Sequence, residues 1–335
     1  MNEIKKITII AEAAQGYEGD PKLTKLLVRA AKEGGADFVK FQIVQADELC
    51  TPLYQYYGLF KSLEMPLSVW KDVAQEAQTQ KIGIMFDVFG PESLRIAREV
   101  KAGAVKIHTT DFFNEDLVAA ALEEFPQVYF SAGGIEIEEI ASFLKQWGEK
   151  GEQKFTLLCG FQAEPTELKD THLSRLANIR EKFPRLKIGF MDHADGDTDE
   201  AAWLGLLALP YGISSIEKHI TLDRTLKLED YISALAPKDF LQYVERIQKG
   251  VLALGSNSLQ LFDLEKAYRS RAVKIIVSRR AIAVGSKIVS DDIILLRCPP
   301  QEGQKRIEKI KEGVGRKVIK DIAPWTPVLQ DDLEG

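Results

Sequence analysis

Cysteine is scarce in this 335-residue chain: Cys50, Cys159 and Cys298 stand far apart, without CxxC spacing. That argues against a disulfide framework or a thiolate metal site, and it suits a reducing compartment, so a cytoplasmic protein is expected. Long apolar runs are missing too. Nothing approaches the roughly 18 uninterrupted apolar residues of a membrane helix. The N-terminal run after Lys5 and Lys6 is broken by Glu12, too early for a signal-peptide core. No membrane association is expected. Blocks of positive charge are also absent: the net charge is −6 with acids and bases interspersed, which makes nucleic acid an unexpected partner. Aromatics are only 9% of residues against 45% apolar overall, a globular composition, and 335 residues exceed what one core usually serves.

What the chain has is repetition. Short runs rich in Val, Ile and Phe recur at 7–14, 37–44, 81–88, 103–110, 127–133, 155–160, 187–193 and 214–220. Between them lie segments with helical spacing, such as 22–34, 92–102 and 199–209. Near-continuous apolar strands alternating with helices imply a parallel sheet covered on both faces. Eight such units in about 250 residues point to an α/β fold of the closed (β/α)₈ barrel type, with an open doubly wound sheet as the alternative. The expected organisation is a catalytic barrel over 1–255, a linker over 256–271, and a small β-rich domain over 272–335.

In such a barrel, chemistry collects where strands reach their C-terminal ends. Here those ends carry Glu12, Lys40, Gln42, Asp87, Lys106, His108, Thr109, Ser131, Cys159, Asp192, His193, Glu217 and His219. Side chains alternate along a strand, so Lys40 shares a face with Gln42, Lys106 with His108, and Glu217 with His219, while Lys218 faces the other way. Two imidazoles converging from adjacent strands, His193 and His219, suit a divalent transition metal with open positions. His108 alone reads as a hydrogen-bonded structural histidine. Lys40 and Lys106 interrupt apolar strands, where an ammonium needs an anion. Either they pair internally with Glu12, Asp87 or Asp192, or they clamp a phosphate and carboxylate, with Ser131 of SAGG adding a hydroxyl. A Schiff-base lysine is a further possibility. The aromatic stretch 54–60, in a long insertion after the second strand, reads as a lid or a dimer contact.

Taken together, IIAEAAQGYEGD (9–20), GADFVKFQ (35–42), AVKIHTTDFFNEDL (104–117), SAGG (131–134), MDHADGD (191–197), IEKHITLDR (216–224) and EDYISALAPKDF (229–240) resemble the sialic acid synthase family. Spore coat polysaccharide biosynthesis proteins belong with it. Residues 279–333 are similar to that family's C-terminal antifreeze-like (SAF) domain. The resemblance implies a transferase that condenses phosphoenolpyruvate with a sugar aldehyde to a nonulosonic-type sugar acid for surface polysaccharide. It implies a divalent cofactor, Mn²⁺ foremost with Mg²⁺ or Co²⁺ as alternatives, held by His193 and His219. By the same likeness Glu12 and Glu217 are catalytic; Lys40, Gln42, Lys106, Thr109, Ser131, Gln162 and Asp230 bind substrate. A homodimer is implied, each SAF domain covering the partner's barrel mouth.

The chain departs from that family at several positions. The family's Asn-His pair after the glutamate is Gly16 and Tyr17, and a threonine on strand three is Asp87. The serine of its SDH is Met191. Strand-six positions hold Cys159, Gly160, Gln162 and Glu164, and a C-terminal arginine aligns with Cys298, beside Arg297. Asp87 should repel a dianionic donor unless protonated or paired with a lysine. The acceptor is therefore expected not to be N-acetylmannosamine. Two rival readings follow from these losses: a metal-dependent barrel aldolase or isomerase working without phosphoenolpyruvate, and a non-catalytic carbohydrate-binding paralogue.

Overall fold

The computed structural model describes residues 6–161, 163–299 and 305–334. The chain divides into two compact units, Met1–Ser256 and Asn257–Gly335.

The first unit is a closed parallel barrel of eight strands in sequential order. They are β1 (Thr8–Ala14), β2 (Phe38–Gln42), β3 (Gly83–Val88), β4 (Ala104–Ile107), β5 (Val128–Ser131), β6 (Phe155–Cys159), β7 (Lys187–Asp192) and β8 (Ser215–His219). Every expected strand is present, with most ends one or two residues shorter. β4 shows the largest trimming: it stops at Ile107, and Thr109–Asp111 turn away as a 3₁₀ segment capped by His108, whose Nδ1 accepts from Thr110 N. Outward-facing side chains such as Val39, Phe41, Phe86, Val105 and Ile216 join the helices in the main core. Inward ones, Ile10, Met85, Ala104, Tyr129, Leu158 and Met191, form a separate apolar plug inside the barrel. The plug closes the lumen below the strand ends, so polar residues above it face a floor and not a channel.

The covering helices start where the sequence provides caps. Pro21–Glu33 opens on Asp20, whose carboxylate accepts from Lys22 N and Leu23 N, with Pro21 at the first helical position. The helix expected over 199–209 is broken into short turns around Leu204–Ala208, because Trp203 leaves helical geometry at φ −137°. Within that segment Gly205 lies against the Tyr243 ring, and a Cβ there would collide with the Tyr243 hydroxyl. Tyr243 belongs to the closing helix, Pro237–Leu254.

The second unit begins with a helix, Asp263–Ala272, inside the stretch read as linker. Its charges explain it: Asp263 and Glu265 sit in the first turn, Arg269 and Arg271 in the last, and Glu265 accepts from Phe262 N at 2.7 Å. Beyond it β9 (Ile275–Ser278) pairs antiparallel with β10 (Ile293–Leu296). Isolated bridges outside this sheet, such as Ile282 to Ile322, accompany it around a core of Ile276, Ile288, Ile293, Val318 and Val328.

Candidate active site

Above the plug lies a cluster of buried charge on the lumen face. Lys40 Nζ, fully buried, contacts Glu12 Oε2 and lies 2.7 Å from Asp87 Oδ1 and 3.6 Å from Glu217 Oε2. Lys106 Nζ is 2.6 Å from Glu217 Oε1 and 3.6 Å from Asp87 Oδ2. Strand register brings them together, since Glu12 pairs with Lys40 and Asp87 with Lys106. Three carboxylates thus face two ammonium groups. Glu12 Oε1, Asp87 Oδ2 and Glu217 Oε2 are buried and without a hydrogen bond.

Charge states follow from burial and neighbours. Burial outweighs the carboxylates at Lys40 and pulls it down to about 8. At Lys106 burial also opposes the charge, but Asp87 and Glu217 raise it above the ordinary lysine range. Burial would raise Asp87 and Glu217, yet Lys106 and Lys40 hold both below the ordinary carboxylate range. Asp87 therefore sits ionised and paired, which is the condition under which its charge is compatible with an anionic ligand.

His193 and His219 flank the cluster, ring centroids 5.1 Å apart. Both are more than nine-tenths buried, at 8% and 6% exposure, and each Nδ1 lacks a hydrogen-bond partner. Burial drives His193 down to about 4 and His219 well below its ordinary value, with His193 itself contributing. Both are neutral at pH 7, the state in which imidazole ligates a metal. Two neutral nitrogen donors beside surplus carboxylate fit a divalent cation. Among the described residues, no three His, Cys, Asp or Glu side chains are already drawn together to hold one.

A cavity of about 510 Å³ opens over these groups, lined by Glu12, Gln42, Lys106, Thr109, Glu217, His193, His219 and Asp230 together with His108, Thr110 and Glu164. Gln42 Oε1 accepts from Gln15 Nε2 at 2.8 Å, and Asp230 Oδ2 accepts from Gln15 N at 3.3 Å. Two expected substrate ligands lie off the wall. Lys40 is beneath it, and Ser131 is fully buried, its hydroxyl accepting from Thr109 Oγ1 at 2.8 Å and donating toward Met191 Sδ. Gln162 falls outside the described residues.

Several other expectations change. Asp192 does not serve Lys40 or Lys106. It points out of the barrel, where Oδ1 accepts from Lys218 Nζ at 3.0 Å and from Ala194 N, and Oδ2 accepts from the Tyr243 hydroxyl at 3.1 Å. Lys218, fully buried, also donates to Ala194 O at 3.1 Å. Tyr17 is core: its hydroxyl donates to Gln42 O, and its ring packs against Phe41 and Trp70. Gly160 leaves no room for a side chain, since a Cβ would collide with the Met191 carbonyl. Cys159 is buried, its thiol pushed up to about 12.

Glu164 is the wall residue that strand-end reasoning did not assign a role. Its Oε1 lies 3.8 Å from His219 Nε2, and its carboxyl hydrogen-bonds Asp230. Burial, then Asp230, pushes it up to about 8. Its signals in the sequence are its place in the loop after β6 and its standing among the departures from the family.

The comparisons agree with this architecture. N,N'-diacetyllegionaminic acid synthase of Legionella pneumophila is 27% identical over 97% of this chain and 94% of its own length. Spore coat polysaccharide biosynthesis protein SpsE of Bacillus subtilis is 26% identical over 98% of this chain and 93% of its own. The crystal structure of N-acetylneuraminic acid synthetase from Leptospira borgpetersenii, in complex with citrate, superposes with a TM-score of 0.73 at 26% identity, covering 80% of this chain and 93% of that one. Residues 273–334 match the SAF domain and residues 27–258 the NeuB family. The chain belongs to the NeuB family, with a SAF domain following its barrel.

Proposed function

We propose that this protein is a sugar acid synthase that joins phosphoenolpyruvate to a sugar aldehyde, releasing phosphate and a 2-keto-3-deoxy sugar acid for surface polysaccharide. The observation that carries the reading is the convergence of Glu12, Lys106, Glu217, His193 and His219 on one cavity at the C-terminal end of a NeuB-family barrel.

Lys106, on the wall and charged, meets the anionic groups of the donor, and Lys40 beneath it adds positive potential. Holding the donor's C3 against the aldehyde carbon turns a bimolecular step into a positioned one. The new carbon–carbon bond forms between those two atoms as the donor's C2–C3 and the aldehyde's C–O double bonds open, the aldehyde oxygen takes a proton to become a hydroxyl, and C2 is left electron-poor. Water then adds to the donor's C2, Glu217 or Glu12 takes its proton, and the C2–O bond to phosphate breaks to leave the ketone. His193 and His219 are the residues that would hold a divalent ion, Mn²⁺ foremost; such an ion supplies Lewis-acid polarisation of the acceptor carbonyl. It would also offset the negative charge by which the three carboxylates exceed the two lysines, a surplus an anionic donor otherwise meets. Tyr17 in the core and Glu164 on the wall support an acceptor other than N-acetylmannosamine. The reading brings with it a cytoplasmic homodimer in which each SAF domain covers the partner's barrel mouth.

Lys40 is fully buried and off the cavity wall, and Lys106, on the wall, is paired with Glu217 at 2.6 Å and held charged, which weighs against either as a Schiff-base lysine. The test is phosphate release from phosphoenolpyruvate with Mn²⁺ and a panel of sugar aldehydes that includes N-acetylmannosamine. Release with another member of the panel supports the proposal. Silence across the panel, while a legionaminic acid synthase control turns over, refutes it.

A further inference from the structure

Beside His219 stands the carboxyl group of Glu164, on a loop with its own anchorage. Glu164 Oε1 lies 3.8 Å from His219 Nε2, too far for a hydrogen bond. Two donors each about 2.0–2.2 Å from a shared ion at the tetrahedral angle stand roughly 3.4 Å apart, so a small side-chain adjustment separates this pair from ligation. The loop is fixed to the histidines' own backbone. Thr166 N donates to His193 O at 2.9 Å, and the buried Thr166 hydroxyl donates to Phe161 O and Ala163 O, both at 2.9 Å. His193 O also accepts from Ser233 Oγ at 3.0 Å, which ties the segment carrying Asp230 to the same carbonyl. Asp230 hydrogen-bonds the Glu164 carboxyl and so orients it, as outer groups orient metal ligands. Each histidine ring also keeps a buried Nδ1 without a hydrogen bond, so neither imidazole is committed on that side, while His219 turns its Nε2 toward Glu164.

We propose that Glu164 is the third protein donor to a divalent cation held by His193 and His219, completing a two-histidine, one-carboxylate ligand set. This rests on the proposed ion at that histidine pair and adds a residue specific to this chain. Asp230 acts behind Glu164 as a positioning residue.

Full-length protein stripped with chelator is titrated with Mn²⁺ alone, free ion being read by its electron paramagnetic resonance signal. Co²⁺ is titrated in parallel and read by its visible absorption. Glu164→Gln and Glu164→Ala are expected to weaken Mn²⁺ binding by at least about tenfold and to alter the Co²⁺ bands, since even an outer-shell partner is worth about 10–100-fold. Asp230→Asn should weaken binding less, and His219→Ala should abolish it. The isosteric Gln variant keeps the test valid should the Ala variant misfold. If both Glu164 variants bind as the unmodified protein does while His219→Ala does not, the Glu164 assignment is overturned and the histidine reading stands. An Asp230→Asn loss larger than that of Glu164→Gln also overturns it. If the unmodified protein takes up neither ion, the histidine reading falls and this inference with it.

Discussion

Two groups of buried charge stand on opposite faces of the barrel wall, an inner one carried by β1–β4 and β8 and an outer one by β7, β8 and the closing helix. On the lumen face Lys40 and Lys106 sit among Glu12, Asp87 and Glu217, and Glu12 Oε1, Asp87 Oδ2 and Glu217 Oε2 have no hydrogen bond. On the outer face Lys218, Asp192 and Tyr243 form a closed set in which both Asp192 oxygens are occupied. Burial is the same; satisfaction is not. A buried polar group left without a partner is costly, so it persists where a ligand completes it. The outer set is therefore a structural clamp on the backbone beside His193 and His219, whereas the inner set is the candidate site.

The sharpest way to break this contrast is Glu217→Gln. It should lower phosphate release by about 10²–10⁴-fold, the usual worth of a proton-transferring group. Asp87 remains on Lys106, so the urea midpoint should move little; a large loss of stability with turnover intact would reverse the roles of the two sets. Next comes Lys218→Met, which takes the buried cation from Asp192 and leaves it only the Tyr243 hydroxyl and the Ala194 N–H. Removing one partner of a buried pair costs about 3–5 kcal/mol, to be read by urea unfolding. A change well below that would show the clamp to be incidental.

The smallest effect lies in pH. His193 is held near 4 by burial, so between its ordinary value of 6.5 and that point the unfolded chain binds a proton the folded chain refuses. Stability contributed by the neutral ring is therefore present above 6.5 and lost as pH falls toward 4. Glu164, pushed up to about 8, runs the opposite way: its contribution is present below its ordinary 4.5 and lost as pH rises toward 8. In the presence of chelator, the stability difference between the unmodified protein and His193→Gln should thus fall as pH drops from 6.5 to 4. A flat difference curve would mean that His193 is not buried as described.

The fold was legible because each strand announces itself by an apolar run between helical segments, and the family resemblance named the same barrel. Alternation placed Glu217 and His219 inward and Lys218 outward. Applied with equal strictness to β7, it would have put Asp192 on the face opposite His193 and identified it as the partner of Lys218. Tyr243 could not be foreseen, because its reach depends on the gap above Gly205. For Lys40 and Lys106 the sequence left two roles open, and the internal pairing is what the geometry displays. Glu164 escaped a role because loops have no period to fix where a side chain points. The helix at Asp263–Ala272 was missed for a different reason: a polar, Ser- and Asn-bearing lead-in masked a good set of end charges.

The clamp behind the histidines has a consequence for how this protein can change. His193 and His219 are secured from outside the barrel by Lys218 and Asp192, while Glu164 and Asp230 arrive on separate loops that hang from the His193 carbonyl. Either loop can therefore change without loosening the histidine pair, which is secured from the other side of the wall. A scaffold divided in this way lets what surrounds the histidines vary while the histidines keep their places.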